Sequence, residues 1–176
     1  DGCKSQVCAS RGPVNLGAGT GWMPEEFSAL HASYADRGRV TDEYLQIFKE
    51  LCTEEKPSFD GEHYQLSNIG FYPKPIQKPH PPIWLAAQSR GAVRRAAAIA
   101  DACLLGPQPN WEDIDQLSTM YWEAIAEQPD KTGYLAANRS ISIARDRETA
   151  VSQAIAAGAA KKGLYSNFNM HESSPA

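Results

Sequence analysis

Residues 82–97, "PIWLAAQSRGAVRRAA", carry the pattern that decides the fold. The stretch begins with three strand-forming residues at positions 83–85 and passes through two alanines to the polar residues Gln88 and Ser89. It then continues as a helical pattern in which apolar residues recur every three or four positions. A strand that leads directly into a helix is a β–α unit, the repeating element of parallel sheets. The sequence therefore predicts an α/β protein.

The rest of the chain repeats this alternation. Strands are predicted at residues 14–16, 83–85, 103–106 and 140–144, and helices are predicted to begin near Pro24, Thr41 or Asp42, Gly91, Asn110 and Asp146. Residues 58–72 predict a hairpin that turns at Asp60 and Gly61, followed by a stiff proline-rich connection. Four β–α units fit either an open doubly wound sheet or half of a closed eight-stranded barrel, and spacing alone does not choose between them.

Composition limits the class of protein. The chain has 176 residues, which predicts one α/β domain over residues 1–176, with residues 1–12 left unassigned. A net charge of −4 argues against a nucleic-acid partner. No apolar run approaches the roughly 18 residues of a membrane span, so we expect no membrane partner and a cytoplasmic location.

Neither a metal site nor a disulfide framework is predicted. Cys3, Cys8, Cys52 and Cys103 are scattered, and neither they nor the four histidines have metal-ligand spacing. Cys52 and Cys103 lie in apolar segments, where a cysteine is typically a small core residue. No Ser/His/Asp or Cys/His arrangement can be argued, so the catalytic residues are unknown.

Two loops are candidate ligand sites. Gly17-x-Gly19-x-Gly21 follows a strand but departs from the dinucleotide fingerprint, because Trp22 stands where that motif requires its third glycine. Its spacing alone favours a tight turn. Residues 86–91 lie where a strand ends and a helix begins, a position that suits anions, with Ser89 as a hydroxyl donor and Arg90 as a possible counter-charge. Arg94 and Arg95 are expected on the solvated face of that helix.

Several strings, taken in order, resemble the bacterial luciferase-like flavin-dependent oxidoreductases. They are "LGAGTGWMPEEFSAL", "RGRVTDEYLQIFKEL", "FDGEHYQL", "YPKPIQKPHPPIWLAAQS", "AVRRAAAIADACLLGP" and "SIARDRETAVSQA". The likeness covers roughly residues 13 to 168. It implies a partial TIM-type (β/α)8 barrel of about four parallel strands with a hairpin insertion.

The resemblance also implies a cofactor and its ligands. Members use reduced FMN, or alternatively F420, at the carboxyl ends of the strands to oxidise small organic substrates. Gly19, Thr20 and Gly21 match the loop near the isoalloxazine. Ala87, Gln88 and Ser89 match the phosphate loop, usually Gly-Gly-x-Ser, and alanine is expected to narrow the approach to it. Trp22 stands where some F420-dependent members have a glutamate, which weakens that alternative.

The resemblance leaves part of the barrel unaccounted for. A (β/α)8 barrel needs ~250 residues, and the family has about three β–α units before the "LGAGTGW" string. A sheet with two free edges and an exposed apolar face predicts a homo-oligomer or a missing N-terminal segment. The alternative function is a truncated, non-catalytic remnant that acts as a binding or assembly module.

Overall fold

The computed structural model describes residues 13–106 and 110–166, with side chains up to residue 159. It forms two compact units. The first comprises the described residues up to Thr20 together with Ala35–Ala137, and the second comprises Gly21–Tyr34 with the described residues from Asn138 onward. Cys3 and Cys8 lie outside the described residues.

The first unit is built on a parallel sheet with helices and a hairpin. Its strands are β1 (Leu16–Ala18), β2 (Phe59–Asp60), β3 (Gln65–Leu66), β4 (Ile83–Ala87), β5 (Ala102–Leu105) and β6 (Leu135–Ala137). β1, β4, β5 and β6 lie side by side in that order, all parallel, and β2 pairs with β3 in an antiparallel hairpin. The strand order does not reverse, whereas a doubly wound sheet reverses at its switch point. The topology is therefore that of a partial barrel.

The described residues of the two units form five helices. They are α1 (Pro24–Ala29), α2 (Arg37–Thr53), α3 (Arg90–Ile99), α4 (Trp111–Ala126) and α5 (Arg147–Ser166). α1 begins with a proline, as predicted, and α4 has a full capping box formed by Asn110 and Asp113. None of the described helices combines the length and apolar content that crossing a membrane requires.

One face of the parallel sheet packs against α2, α3 and α4. The buried residues of this core include Leu45, Ile83, Leu85, Ala87, Val93, Ala96, Ala97, Cys103, Leu105, Leu117 and Tyr121. The predicted small-residue stripe of α3 is confirmed, and so is the burial of Cys52 and Cys103. Burial raises the pKa of the Cys103 thiol from its ordinary 9.0 to about 11, so the thiol is neutral at physiological pH.

The amino end of the sheet is closed by Asp101. Its carboxylate Oδ2 accepts the Ile83 N–H at 2.7 Å, and its own N–H donates to the Ile83 carbonyl at 3.0 Å. Asp101 therefore ties β4 to the start of β5.

Glu43 of α2 fastens the hairpin to the domain. Its carboxylate accepts the backbone N–H groups of Glu62, His63 and Tyr64 at 2.8 to 3.1 Å. The hairpin forms where the sequence predicts it, but the loop spans the four residues between β2 and β3, since it wraps around this carboxylate. The prediction of a two-residue turn at Asp60 and Gly61 is therefore wrong.

The prediction that Arg95 is a surface charge is also wrong. Its Nε donates to Asp42 Oδ1 at 2.6 Å, and the guanidinium is only 24% exposed. A Cβ at Gly38 would lie 2.4 Å from Arg95 Nη2, so a glycine leaves the space that this side chain fills. The pair joins α3 to α2. Arg94 is exposed, as expected.

The strand predicted at residues 140–144 is absent from the structure. The last strand of the sheet is β6, five residues earlier, and Ile141 and Ile143 are 81% and 86% exposed. Their alternation imitates a strand, but they lie in the second unit, outside the parallel sheet. Val151 and Ile155 of α5, expected to face inward, are exposed as well.

In the structure, α2 begins about one helical turn before the start predicted at Thr41 or Asp42. α2 begins at Arg37, and its buried residues are Leu45, Ile47 and Cys52. Tyr44, expected in the core, is exposed and stacks on Tyr64 of the hairpin with ring centroids 4.6 Å apart.

Tyr121 provides a test of how α4 is attached to the sheet. Its ring is fully buried, its hydroxyl donates to the Tyr134 carbonyl, and that same hydroxyl accepts the Tyr134 N–H, both at 3.1 Å. Tyr121→Phe leaves that N–H without its acceptor, and we expect a loss of about 2 kcal/mol in the free energy of unfolding. Urea denaturation measures it. Tyr134→Phe, on an exposed ring, is the control, and equal stability of the two variants would contradict the assignment.

Candidate functional site

The carboxyl ends of the parallel strands bring two of the predicted loops together. Ala18 of β1 pairs with Leu85 of β4, so Gly19 continues beside Ala86. A Cβ at Gly19 would lie 3.8 Å from the Ala86 methyl, which is van der Waals contact. Gly19 and Thr20 therefore adjoin the end of β4, where the candidate phosphate loop begins.

Ser89 shapes that loop by capping α3. Its backbone is extended, with φ −140° and ψ 163°, and its Oγ accepts the Ala92 N–H at 3.3 Å. The hydroxyl hydrogen is still able to donate, because capping uses only an oxygen lone pair. In an α-helix the first N–H groups, here those of Arg90 and Gly91, have no intrahelical acceptor. Together these donors form an arrangement that suits an anion.

Space for an anion is open at this helix end. A Cβ placed on Gly91 would meet no atom within 4 Å, and Gln88, Ser89 and Arg90 are exposed. The residues present therefore fit a phosphate group. Within the described part of the chain, no cluster of three or more His, Cys, Asp or Glu side chains could hold a metal ion.

The two alanines before Gln88 have different surroundings. Ala87 is 1% exposed, and its methyl group packs in the core on the helix side of the sheet. Ala86 is exposed on the opposite face, beside Gly19. The Ala87 methyl group therefore does not narrow the approach to the phosphate loop, contrary to the expectation. Of the two alanines, only Ala86 has a methyl group on the side from which a ligand would approach.

The open face of the sheet is layered. Trp84 pairs with Ala102, and its ring contacts that of Tyr134 with the centroids 5.1 Å apart. In the next layer toward the carboxyl edge, Ala86 pairs with Leu104, which pairs with Ala136. Aromatic rings thus fill the lower layer. In the layer at the carboxyl edge, the small side chains of Ala86 and Ala136 leave room for a ligand on either side of Leu104.

Gly21 and Trp22 belong to the second unit. Gly21 has φ +78°, a conformation that favours glycine, and a Cβ there would lie 2.7 Å from the Phe27 ring. The Trp22 carbonyl accepts the Tyr34 hydroxyl at 3.2 Å. Five of the six predicted cofactor residues, Gly19, Thr20, Ala87, Gln88 and Ser89, lie within the first unit.

Arg90 is directed toward α4. Its Nε donates to the Met120 Sδ at 3.3 Å. It also lines a cleft between α3 and α4 with Arg94, Glu123 and Glu127. This cleft lies in the helix layer, and its charges are of both signs, so we assign the candidate site to the carboxyl edge of the sheet instead.

Sequence reasoning missed one residue at this edge. Gly106, directly after β5, donates its N–H to the Ala87 carbonyl at 3.2 Å, and the Gln88 side chain lies against it. A glycine that ends a buried strand was the only sequence signal, and it does not reveal which side chain occupies the space.

A parallel β/α sheet of four strands with an unreversed order, with helices packed on one face, defines the class: part of a barrel of the (β/α)8 type. The family model for luciferase-like monooxygenases matches residues 8–173. The chain therefore belongs to the luciferase-like monooxygenase family, as the sequence strings predicted.

Individual relatives agree with this membership. The FMNH(2)-dependent dimethylsulfone monooxygenase of Pseudomonas putida is 30% identical over 93 residues, which are 51% of this chain and 26% of that protein. An uncharacterized protein of Mycobacterium tuberculosis is 34% identical over 119 residues, 68% of this chain and 40% of that protein. The chain thus spans less than half the length of these curated relatives.

Solved structures show the same fold. Monooxygenase RslO1 from Streptomyces bottropensis superposes with a TM-score of 0.75 at 23% identity, covering 88% of this chain and 49% of that one. An F420-dependent secondary alcohol dehydrogenase gives 0.60 at 16% identity, covering 72% and 40% of the two chains. At these identities the likeness shows the fold alone.

The capping role of Ser89 can be measured apart from any ligand. Ser89→Ala removes the side-chain acceptor for the Ala92 N–H, and we expect it to cost about 1 kcal/mol in the free energy of unfolding. Asn110→Ala removes the equivalent cap of α4 and should cost a similar amount. Urea unfolding of both variants measures this. A Ser89→Ala protein as stable as the unsubstituted chain would contradict the cap.

Proposed function

We propose that this chain is part of a flavin-dependent oxidoreductase or monooxygenase that uses reduced FMN on a small organic substrate. The observation that carries the proposal is the N-terminus of α3 at the carboxyl edge of the sheet, near Gly19. Ser89 caps only the Ala92 N–H there, and the space around Gly91 is open. In this proposal the loop of Ala87, Gln88 and Ser89 receives the cofactor phosphate, and Gly19 and Thr20 of the same unit lie toward its ring.

FMN is favoured over F420 on two grounds. The dimethylsulfone monooxygenase, which is 30% identical to this chain, is named as FMNH(2)-dependent. The F420-dependent proteins of known structure are less than 25% identical to this chain. Trp22 also stands where some F420-dependent members of the family have a glutamate. F420 remains the alternative ligand, and the experiment below includes it.

The protein's own contribution is binding and orientation. The N–H groups at the start of α3 and the Ser89 hydroxyl offset the phosphate charge and fix one end of the cofactor. Trp84 and Tyr134, whose ring centroids are 5.1 Å apart, lie in the layer below the site. Reduced flavin supplies hydride transfer or reaction with oxygen, the chemistry that side chains lack.

The open sheet carries a proposal about partners. Among the described residues of the first unit, β1 and β6 each have one edge that no strand pairs with, and Trp84 and Ala86 lie on the sheet face opposite the core. We infer that further β–α units cover these surfaces, supplied by an additional N-terminal segment or by a second copy of the chain. The substrate side of the site would then lie partly on those units.

Sedimentation of the 176-residue chain tests this inference about partners. If a second copy covers the sheet, the chain sediments as a dimer; if a further segment does, the monomer exposes the sheet face and binds the dye ANS strongly. A monomer that does not bind ANS would contradict both forms of the inference, since no apolar face would then need a cover.

Cofactor titration tests the proposed function. FMN, riboflavin and F420 are titrated into the chain while flavin fluorescence is followed. We expect FMN to bind more tightly than riboflavin, since only FMN carries the phosphate, and Ser89→Ala to weaken FMN binding by about tenfold, the loss of one charge-assisted hydrogen bond. Asn110→Ala, which loses a cap of the same kind, should bind FMN normally.

Two results would overturn this account of the site. If neither FMN nor F420 binds, the chain is not a cofactor-binding part of an oxidoreductase, and the non-catalytic alternative gains support. If FMN binds and Ser89→Ala changes nothing, the phosphate lies elsewhere.

A further inference from the structure

The side chain of Gln88 lies flat against the backbone of Gly106. A Cβ added at Gly106 would lie 2.4 Å from Gln88 Nε2, 2.8 Å from its Cγ and 2.9 Å from its Cδ. Non-bonded heavy atoms do not approach so closely, so any larger residue at position 106 would push the Gln88 side chain away.

Glycine at position 106 is explained by this space. The backbone there does not adopt the positive φ that would itself call for glycine, unlike that of Gly21. The ladder hydrogen bond from the Gly106 N–H to the Ala87 carbonyl could be made by any residue except proline. What only glycine provides is room for the three side-chain atoms of Gln88.

The contact lies in the middle of the candidate phosphate loop. On one side of Gln88, Ala87 is fixed by its pairing with Leu105, and on the other, Ser89 is fixed by capping α3. Gln88 itself belongs to neither the strand nor the helix. Its side chain packs against Gly106, and this contact links the connecting residue to the chain just after the neighbouring strand.

We propose that Gln88 and Gly106 are a positioning pair, which sets the direction of the N–H groups that receive the cofactor phosphate. The role rests on the proposed function, since it deepens the description of the same loop. Neither residue needs to touch the phosphate. Gly106, directly after β5, acts through the Gln88 side chain on the loop that follows β4.

Three variants test the pair: Gly106→Ala, Gln88→Ala and the double variant. Dissociation constants are measured for FMN and for riboflavin, which lacks the phosphate. Each single change should weaken FMN binding by about tenfold and leave riboflavin binding within about twofold, because the loop serves only the phosphate. The double variant should be no weaker than Gly106→Ala alone, since the methyl group then has no side chain to displace.

Gly158→Ala is the matched control, because a Cβ there meets no atom within 4 Å. It should bind FMN as the unsubstituted chain does. The positioning role is overturned if Gly106→Ala also binds FMN normally, if riboflavin binding falls equally, or if the two single effects multiply in the double variant.

Native-state hydrogen exchange tests the pair without any ligand. Gly106→Ala should speed amide exchange at residues 88–91 relative to the rest of the sheet, and Gly158→Ala should not. Unchanged exchange there contradicts the proposal. A chain that fails to prefer FMN over riboflavin overturns the proposed function and this role with it, whereas a Ser89-dependent preference that survives Gly106→Ala overturns only the role.

Discussion

The parallel pairing of β4 with β1 on one side and β5 on the other is the constraint on which the rest of the structure depends. This register puts Ala18 beside Leu85, and Ala87 beside Leu105. Because the strands are parallel, the residues that follow them must emerge at one edge of the sheet. Three segments that are far apart in the chain therefore meet there, and the candidate site is built from their first residues.

Side chains alternate between the two faces of the sheet along β4, so residues that stabilise the core and residues that can contact a ligand lie on opposite faces. Ile83, Leu85 and Ala87 point into the core beneath the helices, whereas Trp84 and Ala86 face the open side of the sheet. A substitution at Ala86 therefore changes the space available to a ligand, and one at Ala87 changes core packing. Ser89 has both roles, since its oxygen caps α3 while its hydroxyl hydrogen can serve the ligand.

Local patterns in the sequence predicted the elements that depend on local interactions. The β4–α3 unit, the helix start at Asn110 and the hairpin insertion follow from propensity, spacing and capping chemistry. The strand expected at residues 140–144 failed because alternating Ile141 and Ile143 signal a strand only where a sheet is there to bury them. Periodicity describes one segment, and burial depends on its neighbours.

Contacts between distant segments could not be predicted. Arg95 reads as a solvated charge on α3, and only the packing of α2 places Asp42 and the space above Gly38 beside it. In the same way, nothing local in the sequence connects Gly106 with Gln88. In both cases a side chain from another part of the chain occupies the space beside a glycine. A single sequence does not reveal such a contact.

The central claim is that the free N-terminus of α3 receives the phosphate of a flavin cofactor. The most direct test is to assign the backbone amide resonances and follow them as FMN is added. The account predicts that the largest shift changes occur at Ser89, Arg90 and Gly91, and that inorganic phosphate in excess produces part of the same pattern. Shift changes that leave these three amides unaffected while FMN binds elsewhere would contradict it.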